Sequence, residues 1–188
     1  MVNPSSKMSA HRMVIATAGI PAHDAGANMV RLRTLILLRW MAIAGQVAAI
    51  IVASQAYALQ LPLGLCALAV GLSVIANLIL SMLFPQNRRL SETEAFLALL
   101  FDLGQLAFLL FLTGGLTNPF AILVLAPVTI SASLLRLRST VFLGALAILV
   151  VSAAMVWYLP LRFADGTELV IPRLFAFGFW LSIVIGIL

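Results

Sequence analysis

Pro62-Leu-Gly-Leu-Cys66-Ala-Leu-Ala-Val-Gly-Leu-Ser-Val-Ile-Ala-Asn77-Leu-Ile-Leu-Ser-Met-Leu-Phe84 runs without one charged side chain and meets Pro85-Gln86-Asn87-Arg88-Arg89 at its end. About 20 helical residues, at a rise of about 1.5 Å each, cross a hydrocarbon layer of about 30 Å. The run is long enough. Lipid offers no water to open backbone groups, so a segment of this kind satisfies its own N–H and C=O groups as a helix. Pro85 ends that helix, and the two arginines belong at the interface beyond it.

The same reading extends in both directions. Apolar runs occur at Leu35–Tyr57, Pro62–Phe84, Ala95–Thr113, Pro119–Leu135, Thr140–Pro160 and Pro172–Leu188. They are separated by breaks at Gln60-Leu-Pro62, Pro85-Gln-Asn87, Gly114-Gly115 with Pro119, and Leu159-Pro160. The fold class expected is all-α, an integral membrane bundle of six transmembrane helices. Composition agrees: 63% of the residues are hydrophobic and 9% charged, with mean hydropathy +1.16. A soluble domain carries about 25% charged residues to cover its surface, and this chain cannot.

Charge sets the orientation. Lys7, Arg12, Arg31, Arg33 and Arg39 precede or open the first span. Arg88 and Arg89 lie between the second and third, and Arg136 and Arg138 between the fourth and fifth. The connections Ala58–Leu61 and Gly114–Asn118 have no charge, while Leu161–Ile171 sets Arg162 against Asp165 and Glu168. Basic loops alternate with the others, which places the N-terminus in the cytoplasm. The net charge of +5 is thus read as topology signal and as contact with anionic lipid headgroups, not as a nucleic-acid surface.

Residues 1–33 hold Pro4, Pro21, His11 and His23 in mixed sequence, read as a cytoplasmic leader, mostly disordered. The short apolar Met13–Ile20 stretch resembles the core of a signal peptide, but a full-length span follows too soon after it. Residues 34–188 form the membrane domain. Its last span runs to Leu188 with no basic stop, so a cytoplasmic continuation is expected. Cys66 lies inside an apolar run and reads as a small buried residue. Neither histidine has a partner at ligand spacing, so no metal site is expected.

Gly114-Gly115-Leu116-Thr117-Asn118-Pro119-Phe120 connects spans three and four. It has a plain structural reading: two glycines for positive φ at a turn, and Asn118 capping a helix that starts at Pro119. It also has a functional one. Glycines let a flat ring approach the backbone, the Asn118 amide can donate to a carbonyl, Phe120 can stack, and uncapped N–H groups open span four. That set suits an apolar molecule bearing carbonyls that arrives through lipid, such as a quinone.

The heptapeptide resembles the Gly-Gly-x-x-Asn-Pro-Phe element of the RegB/PrrB/ActS sensor histidine kinases, which also lies between the third and fourth of six spans. Leu-Leu-Arg39-Trp40 at the opening of span one is similar too. The resemblance implies the input module of a two-component redox sensor in the bacterial inner membrane. It implies ubiquinone as ligand, with Gly114, Gly115, Leu116, Thr117, Asn118, Pro119 and Phe120 as its site. A homodimer, a cytoplasmic response regulator, and ATP with Mg used by a kinase region beyond Leu188 are further implications. No catalytic residue is expected in this segment.

Asp102 lies about two turns inside span three, where an unpaired charge costs about 2.5–3.5 kcal/mol. Arg39 is its expected partner in a polar clamp, with Gln105 one turn on. Gln46 and Asn77 read as interhelical hydrogen bonders, and Pro127 as a bend in span four. Trp40, Trp157 and Tyr158 read as interfacial, and Trp180 as packing on either a ligand or a neighbouring helix. Two other readings stand beside this one. A small polytopic transporter or permease subunit is disfavoured by one deep ionisable residue and no inverted repeat. A quinone-linked redox enzyme subunit lacks intramembrane histidines for haem.

Overall fold

The computed structural model describes residues 32–83 and 90–188. The readings that fall on Lys7, His11, Arg12, His23, Arg31, Arg88 and Arg89, and most of the leader, lie outside the described residues.

Among the described residues, six helical spans form the bundle. They are α1 (Leu32–Ile51), α2 (Leu63–Leu83), α3 (Glu92–Leu112), a fourth span that ends in α4 (Leu125–Leu134), α5 (Leu137–Val156) and α6 (Arg173–Ile187). Four of them are long and apolar enough to cross a membrane, and Pro119–Leu134 and Arg173–Ile187 are shorter apolar helices. α1 takes in Leu32 and Arg33, which the sequence assigned to the leader.

Local chemistry sets the ends. α3 starts three residues before its apolar run because Ser91 and Glu94 form a reciprocal cap: Glu94 N–H donates to Ser91 Oγ (3.3 Å) and Ser91 N–H to Glu94 Oε2 (2.9 Å). α5 starts three residues early as well, from Arg136 as cap residue. There Glu92 pairs with Arg136 (3.0 Å) and accepts from Ser139 (2.9 Å), tying the acidic first turn of α3 to the α4–α5 turn. Span four begins as a 3-10 helix, Pro119–Val124, and becomes α-helical at Leu125. Pro127 sits in the middle of the Pro119–Leu134 span, in the first turn of α4 and just past the change from 3-10 to α-helix.

α3 is the hub. On one side Leu99, Leu103 and Leu110 pack with Val124, Val128, Leu143, Ala147, Val151 and Ile183 of the last three spans. On the other, Leu109 and Leu112 join Ile43, Cys66, Ala69 and Val70 of α1 and α2. Cys66 is fully buried there.

At the outer end, opposite Arg136 and Arg138, the first and last loops are joined by a feature the sequence reading did not contain. β1 (Leu59–Gln60) pairs antiparallel with β2 (Arg162–Phe163), Leu59 opposite Phe163 and Gln60 opposite Arg162. α1 reaches β1 through a π-helical turn, Val52–Ala56, closed by Tyr57 N–H to Val52 O (3.3 Å). The last loop is also tied to the end of α3, by Leu159 N–H donating to Phe111 O (2.8 Å).

Candidate functional site

The heptapeptide is a hydrogen-bonded coil. Gly114 (φ 91°) and Gly115 (φ 57°) are both left-handed. Thr117 N–H and Oγ1 both donate to Gly114 O (3.0 and 2.6 Å), and Asn118 N–H donates to Gly115 O (3.2 Å). Asn118 Oδ1 then accepts from Phe120 N–H (2.9 Å) and Asn118 O from Ala121 N–H (3.0 Å). The first N–H groups after Pro119 are thus capped. This corrects the expectation of open donors at the start of span four: the Asn118 side chain and carbonyl fill them.

Gly114 and Gly115 are required for a different reason from close ring approach. A Cβ on Gly115 would run into the Ala154 carbonyl oxygen and Tyr158, and one on Gly114 into Thr117 Oγ1 and Leu161. Both glycines let the coil press against α5 and the last loop. Leu116 is buried in the core beside them.

The other four residues of the heptapeptide face a cavity. Thr117, Asn118, Pro119 and Phe120, with Thr113, form one wall of a space of about 280 Å³. Ala49, Ile50, Val52, Ala53 and Tyr57 form the opposite wall, and Leu59, Leu61, Leu161, Phe163 and Leu169 close it from the β1·β2 side. Phe120 is 40% exposed, so its ring is available to an occupant. Polar groups are few. Asn118 Nδ2 donates to Thr113 Oγ1 (2.7 Å), which donates on to Leu109 O (2.7 Å). An amide nitrogen carries two hydrogens, so Asn118 holds the turn with one and keeps a second to offer. The arrangement is a small apolar pocket with a hydroxyl–amide pair at one wall, the general form of a ligand site.

The closing hairpin has its own cohesion. Leu169 N–H donates to Leu161 O (2.8 Å), Phe163 N–H to Thr167 O (2.9 Å), and Arg162 pairs with Glu168 (2.9 Å). Asp165 Oδ1 accepts from both Thr167 Oγ1 (2.6 Å) and Thr167 N–H (2.9 Å), which holds this carboxyl below its ordinary range. Sequence reasoning missed Leu161, Phe163 and Leu169 as site residues. The signal was present: Leu161 and Phe163 alternate with Arg162, and Asp165-Gly166 is a hairpin turn pair.

In the inner half, Arg39 and Asp102 meet through two contacts, Nε–Oδ1 2.9 Å and Nη2–Oδ2 3.0 Å. Arg39 Nη2 also donates to Ala98 O (3.1 Å), and the guanidinium lies over Phe101. Gln105 does not join this clamp; it pairs reciprocally with Gln46 (2.9 and 3.2 Å). Asn77 Nδ2 donates to Ile36 O (3.3 Å). Trp180 turns to a neighbouring helix, donating to Ser152 Oγ (3.0 Å) and stacking on Phe177.

Comparison with known proteins follows the same lines. Residues 23–176 match the family model of the PilS-like transmembrane domain. The chain is 60% identical over 176 residues to a sensor histidine kinase RegB of Cereibacter sphaeroides, and 61% identical over the same length to that of a named strain of the species. Each alignment takes in 94% of this chain and 38% of the relative, so the chain spans under half the length of the curated relatives it matches. No solved structure matches.

Proposed function

The chain belongs to the PilS-like transmembrane domain family, and from that premise we propose that it is the redox-sensing input of a sensor histidine kinase, with ubiquinone as ligand. The observation that carries the proposal is the convergence of Thr117, Asn118, Pro119 and Phe120 on the outer apolar cavity. A quinone head enters from lipid, the second Asn118 Nδ2 hydrogen donates to a ring carbonyl, and Phe120 and Phe163 pack on the ring. The cavity of about 280 Å³ sits just under the roughly 300–1,000 Å³ of ordinary small-molecule pockets, so it holds a head and not a polyprenyl tail. The tail stays in lipid.

Signalling follows by linkage. Ligand shifts the kinase only as far as it binds one packing arrangement more tightly than another. The cavity wall contains the start of span four and the end of α1, and Leu161 of the closing loop contacts the Gly114 turn. Occupancy therefore acts on helix packing directly. In the whole protein, a homodimer in the bacterial inner membrane, the change passes to a cytoplasmic kinase region. That region uses ATP and Mg to phosphorylate its own histidine and then a response regulator.

The test is ubiquinone binding to the purified chain, wild type against Asn118→Ala, Phe120→Ala and Phe163→Ala. Saturable binding weakened by all three supports the site. Equal binding in all four proteins, or none in any, overturns it and leaves the heptapeptide as a turn and cap.

A further inference from the structure

A second cavity, of about 450 Å³, lies in the inner half between α1, α2 and α3, with Arg39, Ala76, Asn77, Ala98, Phe101 and Asp102 on its walls. Asn77 is fully buried, and its Oδ1 has no hydrogen-bond partner among the described residues. Its orientation is fixed, because Nδ2 donates to the Ile36 carbonyl and a flipped amide would set oxygen against oxygen. One turn earlier on the same helix, Ser73 Oγ is also buried without a partner. It faces an adjoining cavity of about 290 Å³ that shares Arg39 and Asp102. The ion pair thus stands between two hollows, each with an orphaned polar atom of α2 on its wall.

Such atoms are costly inside a membrane domain unless something fills the gap. Water alone does not fit. At about 30 Å³ per molecule the larger cavity would hold about 15, each needing two to four polar partners, and its walls offer polar side chains only at Arg39, Asn77, Glu94 and Asp102, the rest being apolar. A hydrocarbon tail fits the walls but leaves Asn77 Oδ1 unmet. The occupant that answers both is an apolar molecule ending in a hydroxyl. Its O–H donates to Asn77 Oδ1, and its oxygen accepts from Arg39, whose Nε and Nη2 are taken by Asp102 and Ala98 while Nη1 has no acceptor among the described residues.

We propose that the inner cavity is a second ligand site, selective for a bilayer-borne molecule with a hydroxyl end. This goes beyond the outer site and does not depend on it. The outer pocket offers a ligand a donor; the inner one also demands a donor from it, so a carbonyl-only ligand meets Arg39 but leaves Asn77 Oδ1 unpaired and binds there more weakly. Two sources share the chemistry, a reduced hydroquinone and a long-chain alcohol or hydroxyl-bearing lipid.

The experiment is equilibrium binding to the chain in phosphatidylcholine nanodiscs, with decylubiquinol, decylubiquinone and a radiolabelled long-chain alcohol as probes. Asn77→Leu removes the acceptor, and Ala76→Phe fills the cavity without touching it. Decylubiquinol binding lowered about tenfold by both variants, with decylubiquinone and Phe120→Ala indifferent, supports the site and names the hydroquinone. The same loss for the alcohol alone supports the site and names the lipid. Hydroxyl probes that bind both variants as they bind wild type overturn it, as does a decylubiquinone loss equal to that of decylubiquinol. If Asn77→Leu fails to fold, Ala76→Phe gives the decision. Phe120→Ala reports on the outer pocket alone, so failure of one site is not mistaken for failure of the other.

Discussion

Arg39 Nε lies 2.9 Å from Asp102 Oδ1, joining the first and third spans by a paired charge in the inner half of the bundle. The second contact, Nη2 to Oδ2, makes the pair two-pronged and fixes its geometry. Arg39 is 8% exposed and Asp102 25%, so the arginine is the more deeply held partner. Removing one partner strands the other in a poorly solvated site, which costs about 3–5 kcal/mol where such pairs are buried. Asp102→Asn is expected to lower the melting temperature in detergent and to lose most of that energy. Exchanging the charges, Arg39→Asp with Asp102→Arg, is expected to recover part of it. Equal melting of wild type and Asp102→Asn would show that the pair holds nothing together.

Gln46 and Gln105 form the next bridge between the same two helices, with both amides buried. A single Gln46→Leu leaves the Gln105 amide unmet, at a cost of about 1–3 kcal/mol, whereas the double change to leucine removes both demands. The double variant is expected to be more stable than either single one. A double-mutant cycle by chemical unfolding gives the coupling, and a coupling of zero would deny the bridge any role.

The six spans were legible because lipid imposes a simple rule: apolar length and flanking charge decide them with little help from packing. Leu63–Leu83 against the expected Pro62–Phe84 shows how well that works. The Arg39–Asp102 geometry was legible for a related reason, since a lone deep carboxylate needs a cation at matching depth. What the sequence left hidden depends on contacts between distant segments. Nothing near Leu59 says that it will lie opposite Phe163, and nothing in the heptapeptide says that Gly115 is needed by the Ala154 carbonyl. Gln105 shows the limit well. Sequence proximity to Asp102 suggested one clamp, while helical rotation points it to Gln46 instead.

Asn118 has two jobs that substitution can separate. Its Oδ1 caps the Phe120 N–H, and its Nδ2 ties Thr113 and is the donor proposed for a ligand. Asn118→Asp keeps an oxygen for the cap, since Asp and Asn are equally good there, but removes the amide donor. Asn118→Ala removes both. Stability is therefore expected to fall by about 1 kcal/mol in the alanine variant, with a smaller fall in the aspartate variant. Quinone affinity is expected to fall in both. If Asn118→Asp binds quinone as wild type does, the amide hydrogen is not the ligand contact.

Asp165 gives the outer hairpin a defined acid sensitivity. Thr167 Oγ1 and N–H both donate to its Oδ1, and these bonds hold the folded carboxyl below the ordinary value of 3.8. A folded value below the unfolded one means that the contribution is complete above the unfolded value. It is lost as pH falls through the folded one. The turn is fully exposed, so the effect is local to the Phe163–Thr167 segment. Hydrogen exchange at the Phe163 amide, which donates to Thr167 O, is expected to stay protected at neutral pH and at pH 5 and to weaken only under stronger acid. Asp165→Ala is expected to remove that acid step and to leave the amide less protected above it, with the two proteins alike in stronger acid. An acid step that survives Asp165→Ala unchanged would show that Asp165 does not set the acid sensitivity of this turn.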